Sequence, residues 1–307
     1  MAAIRGMLLP LPTVFRSDGS PDIPLMREMA SYYVESGVHA FFVTGSFGQG
    51  PAMTPDERRS VANAVIEETR GRIPVIVHVG TADPYTTIAL GRDALAKGAD
   101  GIGVVGPYYY ADHKPQEVRD YFKMLGREIS APILIYDNAG YSGYRIGPDL
   151  IKLMVQDSPQ IFGSKVSDAN IDGALLYRDV VGRDFAIFVG ASALVPGLML
   201  GIAGTVSPPM ALCPRLGVEV VNAVDRGDHA EALRLHLELV EFHAGITGFW
   251  RKYGYGFFGA GLRAIGFKVE MYPRWPVPDV DDEGVAHLNS LIKRAKAAID
   301  SRQPQPV

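Results

Sequence analysis

Eight short apolar runs, each followed by a stretch of helical period, fill about the first 226 residues of this 307-residue chain, and few folds accept that pattern. The runs are RGMLLPLPT (5–13), AFFVTG (40–45), PVIVHVG (74–80), GIGVVG (101–106), APILIYD (131–137), IFGSK (161–165), FAIFVG (185–190) and AGTVSP (203–208). Helical stretches lie between and after them, around 23–36, 54–69, 85–98, 115–129, 147–157, 170–180, 193–201 and 213–226. Nearly continuous apolar runs suit parallel strands that are covered on both faces. Strand–helix alternation calls for a parallel sheet, and eight units in this length call for a closed (β/α)8 TIM barrel. A doubly wound dinucleotide fold is disfavoured. No strand is followed by G-x-G-x-x-G, and the glycines of GSFGQG (45–50) have the wrong spacing.

Local signals agree with this division. Thr54 precedes Pro55, Asp56 and Glu57, which supplies a capping acceptor, a first-turn proline and a reciprocal glutamate. Past residue 226 the strands stop. Residues 227–254 and 285–300 read as helices separated by the proline-rich YPRWPVPDV (272–280), so the chain divides into a barrel, 1–226, and a carboxy-terminal helical region, 227–307. A formal charge of −4 without a basic block argues against a nucleic-acid partner. The single cysteine, Cys213, excludes an internal disulfide and offers no metal cluster. The amino-terminal apolar run is too short to span a membrane and lacks a signal-peptide pattern, so a cytoplasmic protein is expected.

In such a barrel the chemistry comes from the carboxyl ends of the strands and the loops after them. Lys165 ends the sixth run. An ordinary lysine there would pair with an acid, and the strand ends offer only Asp137 and Asp168. A lysine amine in an apolar, closed site is instead a nucleophile toward carbonyls, which is imine chemistry and needs no metal or cofactor. Tyr136 ends the fifth run. It is either a core aromatic whose hydroxyl finds a partner or an acid/base facing Lys165, since neighbouring strands lie about 5 Å apart. Ser46, in the glycine-rich loop after the second strand, is a candidate relay hydroxyl, and the backbone N–H groups of that loop suit a carboxylate. Tyr108, Tyr109 and Tyr110 read as a wall or a subunit contact. A metal-dependent hydrolase is disfavoured because only His78 and His113 of the seven histidines lie at or near strand ends.

Over essentially its whole length the chain resembles the dihydrodipicolinate synthase/N-acetylneuraminate lyase family of class I, pyruvate-handling barrels. GSFGQGPAMTPDERRSV is similar to that family's Gly-Thr-Thr-Gly-Glu loop and following helix, and GPYYYADHKPQEV to its Pro-Tyr-Tyr segment. PILIYDNAGYSGYRI is similar to its Tyr-Asn-x-Pro segment, and GSKVSDANID to its imine-forming strand. The resemblance implies that Lys165 forms the imine with a 2-oxo acid, that Tyr136 shuttles protons, and that Ser46 is the first relay hydroxyl. It implies that the N–H groups of Ser46 and Phe47 hold the pyruvyl carboxylate, that Tyr109 reaches a neighbouring subunit's site, and that Val206 and Gly190 border the bound acid. A homo-oligomer, tetramer or dimer, is implied as well.

The departures bear on substrate. Phe47 stands where the second threonine would be, Gln49 replaces the glutamate, and Asp137-Asn138-Ala139 replaces Asn-x-Pro. Tyr141 stands where dihydrodipicolinate synthases carry an arginine, so the bidentate clamp for a dicarboxylic partner is lost. The expected function is therefore a Schiff-base aldolase joining a 2-oxo acid to an aldehyde, of the 2-keto-3-deoxy-sugar-acid type. Three alternatives accompany it: 4-hydroxy-tetrahydrodipicolinate synthase, a keto-deoxy sugar acid dehydratase, and a non-catalytic paralogue that binds a 2-oxo acid.

Overall fold

The computed structural model describes residues 4–167 and 170–301. Asp168, one of the two acids considered for Lys165, lies outside them. The strands are β1 (Gly6–Pro10), β2 (Ala40–Val43), β3 (Val75–His78), β4 (Gly101–Val105), β5 (Ile133–Asp137), β6 (Ile161–Val166), β7 (Ala186–Val189) and β8 (Gly204–Thr205). They close into one parallel barrel in chain order, with β8 returning to β1. The barrel helices are α1 (Ile23–Glu35), α2 (Pro55–Thr69), α3 (Pro84–Ala96), α4 (Pro115–Glu128), the single turn α5 (Ala139–Ser142), α6 (Pro148–Asp157), α7 (Ile171–Val181), α8 (Leu194–Met199) and α9 (Pro214–Asp225). The TIM barrel read from the sequence is present, and each predicted strand overlaps an observed one. The eighth is only two residues long, because the chain after Thr205 leaves the ladder.

Helix starts are set by local chemistry. At α2 the Thr54 hydroxyl accepts the Glu57 N–H while the Glu57 carboxylate accepts the Thr54 N–H, with Pro55 in the first turn. Asp22, Asp83 and Asn170 cap α1, α3 and α7 in the simpler one-bond manner.

Side chains alternate between two cores, as barrel strands require. Leu8, Phe42, Ile76, Leu134, Tyr136, Phe188 and Val206 fill the inside. Residues of the opposite parity, among them Met7, Leu9, Phe41, Val77, Ile135 and Ile187, join the helices in the outer layer. β6 breaks this alternation once. Ile133 pairs with Ile161, but Leu134 pairs with Gly163, so Phe162 is an extra residue in the strand. Ile161 packs outward and Phe162 inward. Uninterrupted alternation would then turn Lys165 toward the helices. The bulge shifts the phase, so Gly163 and Lys165 pair with the inward residues Ala186 and Phe188 of β7.

The bulge draws the backbones of β6 and β7 together at Gly163. A Cβ built there would lie 2.3 Å from the Ala186 carbonyl oxygen. Gly163→Ala is therefore expected to cost about 1–3 kcal/mol through forced strand displacement and to misdirect Lys165. Denaturant unfolding read beside activity checks both effects.

Beyond the barrel lie α10 (His229–Tyr253), α11 (Gly256–Ala264) and α12 (Asp282–Asp300). The sequence reading placed helices at the first and last of these and missed α11. Its GFFGAGLRA stretch carries glycines that weaken a helix on propensity. Tertiary packing overrides that weakness. A Cβ at Gly261 would meet Leu212 at 2.7 Å, so the glycine permits the close approach that seats α11 against the barrel.

Candidate active site

Tyr136 and Lys165 are paired directly across β5 and β6. The Lys165 amine lies 3.7 Å from the centroid of the Tyr136 ring and 5.9 Å from that of Phe42. It makes no ion pair among the described residues. Asp137 follows Tyr136, so alternation sends its carboxylate to the outer side. There it accepts the Tyr177 hydroxyl at 2.7 Å and the Ile146 N–H at 3.1 Å. Asp137, one of the two acids considered as a partner for the lysine, is thus committed elsewhere, and the amine faces a cavity.

Burial alone would raise the Tyr136 phenol. The Lys165 ammonium and hydrogen bonds from Ser46, Lys165 and Asn138 outweigh that effect, so the group sits below its ordinary 10.0. Asn138 Nδ2 donates to the phenol oxygen at 3.0 Å, and Ser46 Oγ stands at 3.5 Å. His78 also points inward, with ring centroids 5.7 Å from Phe42 and 6.1 Å from Tyr136. Its Nε2 accepts the Val105 N–H at 3.2 Å, which leaves the proton on Nδ1. Burial, then the Arg58 and Lys165 cations, hold it well below the usual imidazole range. It is a neutral ring in the layer beside the phenol.

The loop after β2 carries Ser46 into the mouth through a strained turn. Thr44, β-branched and fully buried, has φ 54, and its hydroxyl ties to the His78 carbonyl at 2.8 Å. The N–H groups of Ser46 and Phe47 have no acceptor among the described residues. Both are available to an anion.

The carboxy-terminal region holds this loop from outside. Tyr272 donates to the Phe47 carbonyl at 2.9 Å, and the Arg274 N–H donates to Gln49 Oε1 at 2.9 Å. The Arg274 guanidinium grips Glu57 with bonds of 2.6 and 2.7 Å and helps hold that carboxyl below its ordinary value. Gln49, which replaces the family's glutamate, therefore serves as an anchor for the loop. Tyr272→Phe would leave a buried carbonyl unpaired, and a loss of about 1–3 kcal/mol is expected. A denaturant titration of the variant measures it.

A cavity of about 40 Å³ lies over Lys165, bordered by Phe42, Ser46, Phe47, Tyr136, Tyr141, Trp250 and Tyr255, with Pro10 and Pro208 at its edges. Tyr141 and Tyr255 share a hydrogen bond of 3.3 Å between hydroxyls, and burial, then Tyr255, push the Tyr141 phenol up. Trp250 packs edge-on against Tyr255 at 5.1 Å, and Phe47 against Phe258 at 4.5 Å. Among the described residues Lys165 is the only charged side chain in this lining. Val206 joins the interior cluster with Tyr136. At Gly190 a Cβ would meet nothing within 4 Å, so the space beside it is open.

Tyr109 is not brought to the site within the protomer. It is 84% exposed, with φ 78 and its ring packed edge-on against Tyr110. Asn138, Trp250 and Tyr255 went unassigned in the sequence reading. The first looks like an ordinary helix cap, and the other two reach the mouth only because α10 and α11 fold back across it.

Among the described residues, no helix is long and apolar enough to cross a membrane. Residues 3–295 match the model of the dihydrodipicolinate synthetase family. The chain is 26% identical over 302 residues to a protein of Escherichia coli K12 named as a probable 2-dehydro-3-deoxy-D-pentonate aldolase, covering 95% of this chain and 97% of that one. It is 32% identical over 248 residues to a 4-hydroxy-tetrahydrodipicolinate synthase of Thermus thermophilus, covering 80% and 82%. Among solved structures it is similar to YagE, a prophage protein of the same family from E. coli K12 crystallised with pyruvate. That match has a TM-score of 0.85 and 25% identity, and covers 96% of this chain and 99% of that one. The dihydrodipicolinate synthase of Aquifex aeolicus matches with a TM-score of 0.85 and 25% identity over 95% and 98%. A lysine and a tyrosine facing one another inside a closed barrel, matched from end to end by the family model, establish that this chain belongs to the dihydrodipicolinate synthetase family, whose members are Schiff-base lyases.

Proposed function

We propose that the protein is a class I aldolase that joins a pyruvate-like 2-oxo acid to an uncharged aldehyde, or cleaves the product of that union, in the manner of the 2-keto-3-deoxy-sugar-acid aldolases. The observation that carries this reading is the amine of Lys165, turned into the cavity without an acid to hold it among the described residues and set beside Tyr136. The free amine adds to the keto carbon, and water leaves to give a protonated imine. Loss of a proton from the adjacent methyl carbon moves its electron pair into the imine, forming an enamine. The enamine carbon attacks the aldehyde carbon, the aldehyde oxygen takes up a proton, and water releases a 4-hydroxy-2-oxo acid and the lysine. In this reading Tyr136 moves the protons, and the loop N–H groups of Ser46 and Phe47 hold the carboxylate.

The wall opposite supports an uncharged acceptor. Tyr141, Tyr255 and Trp250 offer ring faces and hydroxyls there and no guanidinium. A dicarboxylic aldehyde would bring a second anion to a lining with no cation to spare. A short hydroxyaldehyde finds hydroxyl partners and apolar faces. The sugar-acid type is therefore favoured over the dihydrodipicolinate synthase type. Tyr109 serves this site only from a second copy of the chain, in the homo-oligomer implied by the resemblance.

Incubation with pyruvate followed by borohydride reduction tests the reading. The expected result is one reduced pyruvyl group on the peptide containing Lys165. An unmodified Lys165 with pyruvate and with longer 2-oxo acids would sink it.

A further inference from the structure

Asn138 occupies the capping position before α5 and has an extended backbone. Asparagine side chains there ordinarily accept an N–H of the first helical turn. This one makes no such bond. It turns inward instead, and its amide donates to the Tyr136 oxygen at 3.0 Å, half an ångström closer than the Ser46 hydroxyl at 3.5 Å.

We propose that Asn138 is a positioning residue for proton transfer, holding the Tyr136 oxygen in place and stabilising it as an anion from within the same protomer. The inference rests on the imine reading of this site. The groups facing Tyr136 explain why a neutral donor matters. Lys165 faces it from β6, His78 from β3, Tyr141 from α5, and the Ser46 hydroxyl from the β2 loop. His78 is held neutral, and the Tyr141 phenol is pushed up and stays protonated. Among the described residues Lys165 is thus the one charge beside the phenol. Its support disappears whenever its nitrogen is neutral, as in the attacking amine and in the enamine. The Asn138 N–H keeps its donor through every step, in agreement with the lowered phenol of the unsubstituted chain.

The test uses the full chain with pyruvate alone. Uptake of deuterium into the pyruvate methyl group, followed by NMR across a pH series, reads proton removal without an aldehyde. Borohydride trapping on Lys165 reads the imine separately, and its failure in the unsubstituted chain would count against the imine rather than against Asn138. Asn138→Leu keeps the volume and removes the donor. Asn138→Asp keeps the shape and presents an acceptor. A bond donated to an anion lowers its pKa, so both losses should raise that of Tyr136. The expected result is that both variants still trap pyruvate while the limb on which exchange rises with pH moves alkaline. The shift is roughly one pH unit for Asn138→Leu and larger for Asn138→Asp. A merely structural role would lower the rate at every pH and leave the limb in place, and that result overturns the proposal. If Asn138→Leu does not fold, Asn138→Asp alone decides by the same criterion.

Discussion

Lys165→Ala is expected to leave no aldol turnover above the uncatalysed background and no adduct with pyruvate on borohydride reduction. Among the described residues Lys165 is the only amine in the lining of the cavity, so no other of them there can form an imine. Without the imine the methyl carbon has no electron sink. Lys165→Arg should be equally inactive, because a guanidinium keeps the charge and is not deprotonated in proteins. The pair of variants therefore separates nucleophile from cation. Neither should unfold the protein, since Lys165 makes no ion pair among the described residues. Loss of its contact with the Tyr136 ring costs about 0.5–2 kcal/mol. Steady-state turnover with a 2-oxo acid and a short aldehyde, read beside a denaturant melt, checks both statements. Substantial residual turnover in Lys165→Ala would remove the assignment.

Tyr136→Phe should act differently. The ring contacts with Phe42, His78 and Tyr141 survive, because only the oxygen is lost. Lys165 keeps an aromatic face beneath it. Borohydride trapping of pyruvate should persist, though more slowly. Turnover should fall by roughly 10²–10⁴, the usual contribution of a positioned acid/base. The pH limb assigned to the phenol should vanish as well. In the unsubstituted chain the phenol lies below its ordinary 10.0, so its anion is available at lower pH than in a free tyrosine. Activity is then present above that titration and lost as pH falls through it. A Tyr136→Phe variant that retains both the limb and the rate would show that another group carries the proton.

All eight strands could be read from the sequence, because a strand covered on both faces leaves a run of apolar residues that tolerates little else. The cap of α2 could be read for a similar reason, since its chemistry is complete within four consecutive residues. Lys165 could be placed at a strand end but not aimed. Its direction depends on how β6 pairs with β5, a relation between residues 28 positions apart, as with Ile133 and Ile161. Asp137 is one of two acids that the sequence offers as a partner for the lysine, and only the pleat shows it turned outward to Tyr177. Asn138 was visible only as a departure from Asn-x-Pro, because its capping place concealed a contact with Tyr136 two residues earlier. Trp250 comes from α10 and Tyr255 from the turn between α10 and α11, and no local pattern announces that these helices return to the mouth.

The extra residue in β6 works like a reading frame. Everything after Phe162 on that strand is presented to one side of the wall or the other according to a count of one. Drawing Phe162 into one-to-one pairing with β5, with no residue removed, would leave the lysine in the sequence and every motif around it intact. It would exchange the places of Ser164 and Lys165, with a hydroxyl at the mouth and a cation driven among the outer helices. Among relatives of this chain, retention of the lysine is therefore an incomplete criterion for activity. Loss of the bulge within a six-residue strand, with every residue retained, can silence the site while leaving its signature unchanged.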